Sequence, residues 1–434
     1  MTTAALSLTM RKPKSQNTVA YGALFIFSFL YFARPEDFVP GLGYLPVEKI
    51  LGGIAFVALF LGIKGRSRFS RWPRELKLLT AIFVLQLLGI LTAFYISGAF
   101  TWVFEKCIKC LIVAILVGLV VDSTRQLRHL MFIQASSVAA MTYASILLYT
   151  GGRMGGVLGG VFGNPNDLAI NIALNFPLCL MFLILNKNPV VKLLWFLGIV
   201  MMGRGLMLTY SRSGFLAMAV AVVVSLWEFG VRNKRRYLLV IAGFCVVVLV
   251  VVGPQSYGDR IKSIFSNDVA VYGDAKEARI ELLISSLVVT AKRPVFGVGA
   301  GQFPNYTGNP HVTHNTYTEL SSECGIPVLV MFLMVMYQCF RNLSKVRNTA
   351  RYRSDPEVPL YTSALWAGFA SYLAGAFFAN TAYALFPYFM VGYTTAMVRI
   401  SANDEPGAVE EMAPPVSPAA RSLPGWMVLP RRAK

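Results

Sequence analysis

Long apolar stretches recur along almost the whole chain, and they restrict its fold more than any other feature. A helix needs about 20 mostly apolar residues to cross the roughly 30 Å hydrocarbon core of a bilayer. The pattern therefore predicts an all-α integral membrane protein with about 12 transmembrane helices. The predicted segments lie near residues 18–33, 47–63, 78–97, 103–121, 127–149, 166–185, 190–208, 213–230, 237–253, 325–340, 360–379 and 382–398.

The distribution of basic residues predicts how the chain is oriented. The net charge is +19, but the Lys and Arg residues lie in short loops between the apolar segments. This arrangement follows the positive-inside rule and argues against a nucleic-acid partner. Most of the 40 basic residues fall on the side of the N-terminus, and an even number of spans then places both termini in the cytoplasm. The first helix lacks a small-residue cleavage site, so we expect it to be retained.

Four parts follow from this segment pattern. Residues 1–253 contain segments one to nine, and residues 325–398 contain segments ten to twelve. Between them, residues 254–324 form a hydrophilic external loop, and a loop this long in a compact protein is usually functional. The loop contains a helix candidate, "AKEARIELLISSLVVTAKRP", followed by the glycine-rich "FGVGAGQF". Residues 399–434 are rich in Pro and Ala and are predicted to be a disordered cytoplasmic tail.

The end of the external loop, "NPHVTHNTYTELSSECGIP", holds two of the three histidines. "TYTE" predicts a capping box, with Thr316 as the N-cap and Glu319 reaching back to it. His314 then lies at a helix N-terminus, where backbone amides and the helix dipole favour anions. With an unperturbed pKa of about 6.5, histidine can exchange a proton at neutral pH. His314 is thus a candidate general base, and a surface histidine in a loop hydrogen bond is the alternative.

Three arginines at predicted external helix ends are further candidates. Arg212 lies in "LTYSRSGF", Arg279 lies on the loop helix, and Arg153 lies in "TGGRMGGVLGGVFGNPN". Ionisable residues close to a membrane are functional candidates, and the planar guanidinium suits phosphate oxygens. The alternative is that each arginine anchors a helix end among lipid headgroups.

No metal or nucleotide site is predicted. His311 and His314 form an H-x-x-H pair without an evident third ligand, and "CIKC" has no second cysteine pair. The sequence contains neither a P-loop nor a D-x-D pair for a nucleotide sugar. We therefore expect no cofactor.

These motifs together resemble the O-antigen ligase and polysaccharide polymerase family of bacterial inner-membrane glycosyltransferases. The family signature is similar to His314 and Asn315 followed, after nine residues, by Gly325. Ligases have a small residue or tyrosine three places further on, whereas this chain has Val328. "SRSG", the arginine of the loop helix, "PVFGVGAGQF" and the asparagine Asn166 in "GNPNDLAINIALNFPL" also match the family's layout.

The resemblance implies a GT-C-like fold and transfer of a glycan from undecaprenyl diphosphate to an acceptor hydroxyl, for example on lipid A–core. The reaction would be metal-independent and inverting, on the periplasmic face of the inner membrane, with membrane lipids as further partners. His314 would be the general base, and Arg212 and Arg279 would be catalytic and would bind the diphosphate. The other residues implied in substrate binding are Asn166, Arg153, Asn315 and Tyr317.

Three alternatives remain open at the level of sequence. A polymerase of the same fold would extend one lipid-linked glycan with another, and only the acceptor would differ. A transporter or flippase would have charged or broken helices near the membrane midplane. A membrane scaffold without chemistry would place His314, Arg212 and Arg279 far apart.

Overall fold

The computed structural model of the protein describes residues 18–35, 47–62, 72–156, 163–240 and 269–402. Every regular element within these ranges is helical. Two π-helical turns lie at Val103–Cys107 and Leu226–Arg232. The helices are α1 (Thr18–Ala33), α2 (Val47–Gly62), α3 (Arg74–Ile90), α4 (Ile96–Trp102), α5 (Ile108–Val120), α6 (Thr124–Leu147), α7 (Pro165–Leu185), α8 (Pro189–Thr209), α9 (Arg212–Ser225), α10 (Val269–Lys292), α11 (Phe303–Thr307), α12 (Thr316–Cys324), α13 (Ile326–Arg347), α14 (Ala350–Ser354), α15 (Val358–Ala376) and α16 (Leu385–Ala402).

Helices occupy most of each predicted apolar segment in the described part of the chain, but a non-helical stretch at residues 91–95 interrupts the third predicted segment between α3 and α4. The ninth predicted segment and the tail after residue 402 lie largely or wholly outside the described residues. By length and composition, five described helices can cross a membrane: α6, α7, α8, α9 with its π-helical turn, and α13. The prediction of an all-helical chain with membrane-spanning helices is thereby confirmed in general terms for the described residues. Helices suit a membrane because each one satisfies its backbone hydrogen bonds within its own segment. The count of twelve spans stays a prediction.

The helices pack around α7 and α15. Helix α7 contacts α8, α9 and α15, while α16 contacts α5 and α13. Buried polar side chains link the bundle internally: Gln134 Nε2 donates to Asn175 Oδ1 at 2.9 Å, and Tyr393 Oη donates to Gln134 Oε1 at 3.0 Å. Such interhelical hydrogen bonds fix helix pairs in an environment where apolar packing alone is weakly selective.

Ion pairs gather at one end of the bundle. They involve loops that the charge pattern assigns to the cytoplasm, and their N–O distances are 2.6–3.0 Å: Arg128–Glu357, Arg347–Glu228 and Arg399–Asp122. Helix α6 starts at this end and finishes shortly before Arg153, whereas α9 starts at Arg212 and finishes at this end. Arg153 and Arg212 therefore lie at the opposite end of the bundle, which we call the arginine end.

Candidate active site

The predicted site residues meet at the arginine end. Arg153 follows α6, Asn166 lies in the first turn of α7, and Arg212 begins α9. The positive charges of Arg153 and Arg212 add to desolvation in lowering the pKa of Arg279, and Arg279 in turn lowers the pKa of His314. Because the interaction between two charges weakens with distance, these mutual effects indicate that the four groups belong to one cluster. The wide separation expected of a scaffold is not observed.

Asn166 joins two of the segments that carry arginines. Its side chain is 7% exposed, and its Oδ1 accepts hydrogen bonds from Arg153 Nη2 at 2.9 Å and Ser211 Oγ at 2.8 Å. Arg153 Nε also donates to the carbonyl of Thr209, at 3.2 Å. These bonds hold the segment after α6 against the α8–α9 turn. Asn166 therefore helps to fix the positions of Arg153 and of the turn that carries Arg212.

The α8–α9 turn aims Arg212 outward. Tyr210 adopts a left-handed conformation with φ 51°, and Ser211 caps α9 by accepting a hydrogen bond from the amide of Gly214. Arg212 is the exposed first residue of the helix. Its guanidinium thus extends from a helix N-terminus, where free amides and the helix dipole already favour an anion.

His314 is held in a strained backbone conformation directly before α12. Its φ of 53° lies in the left-handed region, which costs a non-glycine residue about 1–3 kcal/mol and persists only where the surroundings enforce it. The side chain is half-buried. Asn315 is the N-cap, and its Oδ1 accepts from the amides of Tyr317 and Thr318 at 2.9 and 3.1 Å.

The predicted capping box is wrong. Thr316 is the first residue within α12, and its Oγ1 donates to the carbonyl of Ala379 at 2.6 Å. Asn315 caps in its place, and its Oδ1 satisfies two of the free amides in the first turn. Glu319 faces the protein interior, where the backbone amide of Ala382 donates to its carboxyl.

The environment favours a neutral imidazole at His314. Burial lowers its pKa, and the positive charges of Arg279 and His311 lower it further. Protonation would place another cation beside the arginines, whereas the neutral ring keeps a lone pair that accepts a proton. Tyr317, three residues on, is turned away: its hydroxyl donates to the carbonyl of Leu373 at 2.8 Å, and its ring lies 4.6 Å from that of Phe377.

Residues 197–333 match a family model described as O-antigen ligase. The chain carries an O-antigen ligase domain. The match confirms the family resemblance and contains Arg212, Arg279 and His314, whereas Arg153 and Asn166 precede it. No curated protein matches the chain significantly. The matched region and the apolar helices together support a multi-pass membrane protein with similarity to glycosyltransferase-type enzymes.

Two buried glutamates of the ligase domain were not predicted as part of the site. Glu323 accepts hydrogen bonds from the amides of Gly301 and Phe303 at 2.7 and 3.4 Å and from the hydroxyl of Tyr383 at 3.0 Å. Burial raises its pKa to about 7. One turn earlier, burial and the neighbouring Glu323 raise the pKa of Glu319 well above its usual value. The sequence could have indicated these two residues, because two carboxylates four residues apart lie directly before an apolar segment.

Glycines allow the end of α12 to pack closely against the backbone of the glycine-rich stretch "PVFGVGAGQF". At Gly325, φ is 90° and a Cβ would lie 2.1 Å from the carbonyl oxygen of Val295. The amides of Val298 and Gly299 donate to the carbonyls of Ser322 and Glu323, at 3.0 and 2.9 Å. Helix α12 fills the interval between His314 and Gly325, and Gly325 then makes the turn that packs closely against the glycine-rich stretch. These two elements together set the spacing of the signature.

Within the described ranges, no group of three His, Cys, Asp or Glu side chains is arranged to hold a metal ion. His311 is exposed, while His314 is half-buried and next to the arginines. The positive charges available to a ligand at this site are therefore those of the arginine side chains.

Proposed function

We propose that this protein transfers a glycan from undecaprenyl diphosphate to an acceptor hydroxyl. One observation supports this most directly: burial and the positive charge of Arg279 lower the pKa of His314, and the charges of Arg153 and Arg212 act in turn on Arg279. A neutral base next to clustered fixed cations suits a reaction in which a hydroxyl loses a proton and a diphosphate leaves.

The donor diphosphate is expected to bind between the arginines. Their mutual repulsion, apparent in the lowered pKa of Arg279, is relieved when an anion enters. Arginine forks bind phosphate oxygens in pairs, and the helix N-termini of α9 and α12 add partial positive charge. Asn166 and Asn315 orient Arg153 and the His314 segment, respectively.

In the proposed step, His314 accepts the proton of the acceptor hydroxyl as its oxygen attacks the anomeric carbon. The bond between that carbon and the diphosphate oxygen breaks, and its electron pair leaves with undecaprenyl diphosphate. Arg212 and Arg279 stabilise the negative charge that develops on the leaving group. Attack opposite the leaving group inverts the anomeric configuration.

We also propose that the arginine end faces the periplasm across a bacterial inner membrane, with both termini in the cytoplasm. The ion-paired loops at the opposite end carry the excess of Lys and Arg that marks a cytoplasmic side. A lipid-linked donor carries its own leaving group, so the reaction requires no nucleotide at the outer face.

A polymerase of the same fold is the second candidate. The one sequence departure from the ligase pattern, Val328, is fully buried in α13. Its side chain packs in the core and does not separate an acceptor on lipid A–core from an acceptor on another lipid-linked glycan.

An acceptor test separates the two candidates. Purified protein in detergent receives a glycan linked to undecaprenyl diphosphate, with EDTA present, and lipid A–core is added to one reaction and omitted from the other. A ligase transfers the glycan to lipid A–core, whereas a polymerase makes longer lipid-linked chains without it. Gel mobility and mass spectrometry of the products distinguish these results. Absence of product in both reactions contradicts the proposed transfer, and loss of turnover specifically in EDTA contradicts metal independence.

The charge of Arg279 provides a test that does not depend on turnover. The chain has three histidines, so an imidazole signal of labelled protein can be assigned by one substitution, His314→Gln. NMR titration is expected to give His314 a pKa below 6.5. In Arg279→Gln, a nearby positive charge is lost, protonation becomes less costly, and the pKa of His314 rises. An unchanged pKa would show that Arg279 and His314 do not interact.

A further inference from the structure

One face of α12 is hydrogen-bonded to the loop between α15 and α16. We call residues 379–383 the ANTAY loop, after their sequence. Thr316, Glu319 and Glu323 lie on the same face of α12, because they are spaced three and four residues apart. Each of them bonds to this loop: the amide of Thr381 donates to Thr316 Oγ1 at 3.0 Å, that of Ala382 to Glu319 Oε2 at 3.4 Å, and Tyr383 Oη to Glu323 Oε2 at 3.0 Å.

The same loop reaches the residues on either side of His314. Asn380 Nδ2 donates to Thr313 Oγ1 at 3.2 Å, and Thr313 Oγ1 donates to the carbonyl of Asn315 at 3.0 Å. The next loop residue but one, Ala382, donates its amide to Glu319 Oε2 at 3.4 Å, so the loop joins Glu319 to Thr313. Thr313 is 3% exposed and Glu319 is 5% exposed, so this bridge is sheltered from water.

We infer that Glu319, Asn380 and Thr313 form a positioning bridge that fixes the orientation of His314 toward the arginine end. The inference rests on the proposed role of His314 as the base. The three residues act through His314 and are not themselves catalytic.

His314 needs such support for a physical reason. Its backbone is left-handed, and an unsupported histidine would relax toward an ordinary conformation. Among the described residues, we find no side chain that hydrogen-bonds the imidazole and sets its direction. The direction of the ring is therefore determined by the backbone of residues 313–315, which the bridge ties to the ANTAY loop.

The bridge also explains why a carboxyl group is buried at position 319. A charged carboxylate there would lie one turn from Glu323, whereas a neutral acid both donates and accepts a hydrogen bond. Asn380 Oδ1 is buried without a hydrogen-bond partner in the described part of the chain, and a protonated Glu319, unlike a carboxylate, carries a hydrogen-bond donor. A neutral amide at position 319 should then replace the acid, and an apolar side chain should not.

The experiment compares donor kinetics of purified variants. Thr313→Val, Asn380→Ala and Glu319→Leu each break the bridge, and each is expected to lower kcat about 100-fold, as a displacement of about 1 Å does to a positioned group. KM for the lipid-linked donor stays close to that of the wild type, because the arginines are unchanged. Glu319→Gln and Thr313→Ser keep the hydrogen bonds and are expected to restore kcat.

Asn305→Ala is the matched control, since this exposed asparagine of α11 bonds only Gln302 among the contacts that the structure describes. Its kcat should stay within about threefold, as for most surface substitutions. Size-exclusion profiles and Tm in detergent show that each variant is folded.

Four outcomes overturn the inference. Wild-type kcat in Thr313→Val and Asn380→Ala, with His314→Ala inactive, would remove the bridge and leave the proposed function intact. A rise in KM that accounts for the whole loss, or failure of Glu319→Gln to rescue, would indicate a merely structural role. Full activity in His314→Ala would remove the proposed function itself and the inference with it.

Discussion

Replacement of His314 by alanine is expected to lower kcat for glycan transfer by about 10²–10⁴-fold, the usual contribution of a general base. The alanine variant keeps Arg153, Arg212 and Arg279, so KM for the lipid-linked donor should change little. The residual rate then reflects donor binding and charge stabilisation alone. Initial rates at saturating acceptor, with the donor varied, separate kcat from KM.

His311→Ala is the matched control for this substitution. His311 lies three residues earlier and is exposed, so its loss removes an imidazole from the same segment, while the proposed base keeps its burial and Arg279, the larger causes of its lowered pKa. We expect its kcat to stay within about threefold of the wild type. Turnover retained in His314→Ala would refute the assignment of the base, as would an equal loss in both variants.

Conversion of Arg212 to lysine is expected to lower kcat/KM for the donor by about 10²-fold, a loss comparable to removing one donor at a developing oxyanion. Lysine keeps the positive charge but loses the planar fork that holds two phosphate oxygens at once. Position 212 is sensitive because the left-handed Tyr210 and the cap at Ser211 fix the direction of the first residue of α9. The loss should appear in both kcat and KM, since the diphosphate is bound before and during its departure.

Arg204→Lys provides the comparison. Arg204 lies on the same helix end as Tyr210, about one and a half turns earlier, and is exposed, but it is not among the charges that act on Arg279. Lysine anchors a helix end among lipid headgroups as well as arginine does, so this variant should keep its activity. If Arg212→Lys were equally active, Arg212 would be an anchor and not a bidentate ligand.

Much of the helix content was predictable because it depends on local sequence. In lipid, an apolar run must satisfy its own backbone, and Pro, Gly and polar residues then mark where each helix ends. The first predicted segment, 18–33, coincides with α1, and the loop helix ends at Lys292, just before Pro294. The candidates His314 and Arg212 were also predictable, because a titratable or charged residue beside an apolar run is rare enough to stand out.

The cap of α12 shows where local patterns fail. "TYTE" has the spacing of a capping box, yet Asn315 is the cap and Glu319 points inward. The sequence pattern contains no information about the ANTAY loop, which competes for Thr316 and Glu319 from more than sixty residues away. Once those side chains bond to the loop, Asn315 is left to satisfy the first amides of the helix.

The sequence by itself determined long apolar helices, basic residues at helix ends, and a histidine in a stretch that is similar to the O-antigen ligase signature. Only the tertiary structure decided that Asn166 ties Arg153 to Ser211, and that the ANTAY loop ties Glu319 to Thr313. Helix formation follows from the chain's own neighbours and the lipid around it. Pairing of polar groups from distant segments depends on how the helices pack, because each buried group must find a partner at that place.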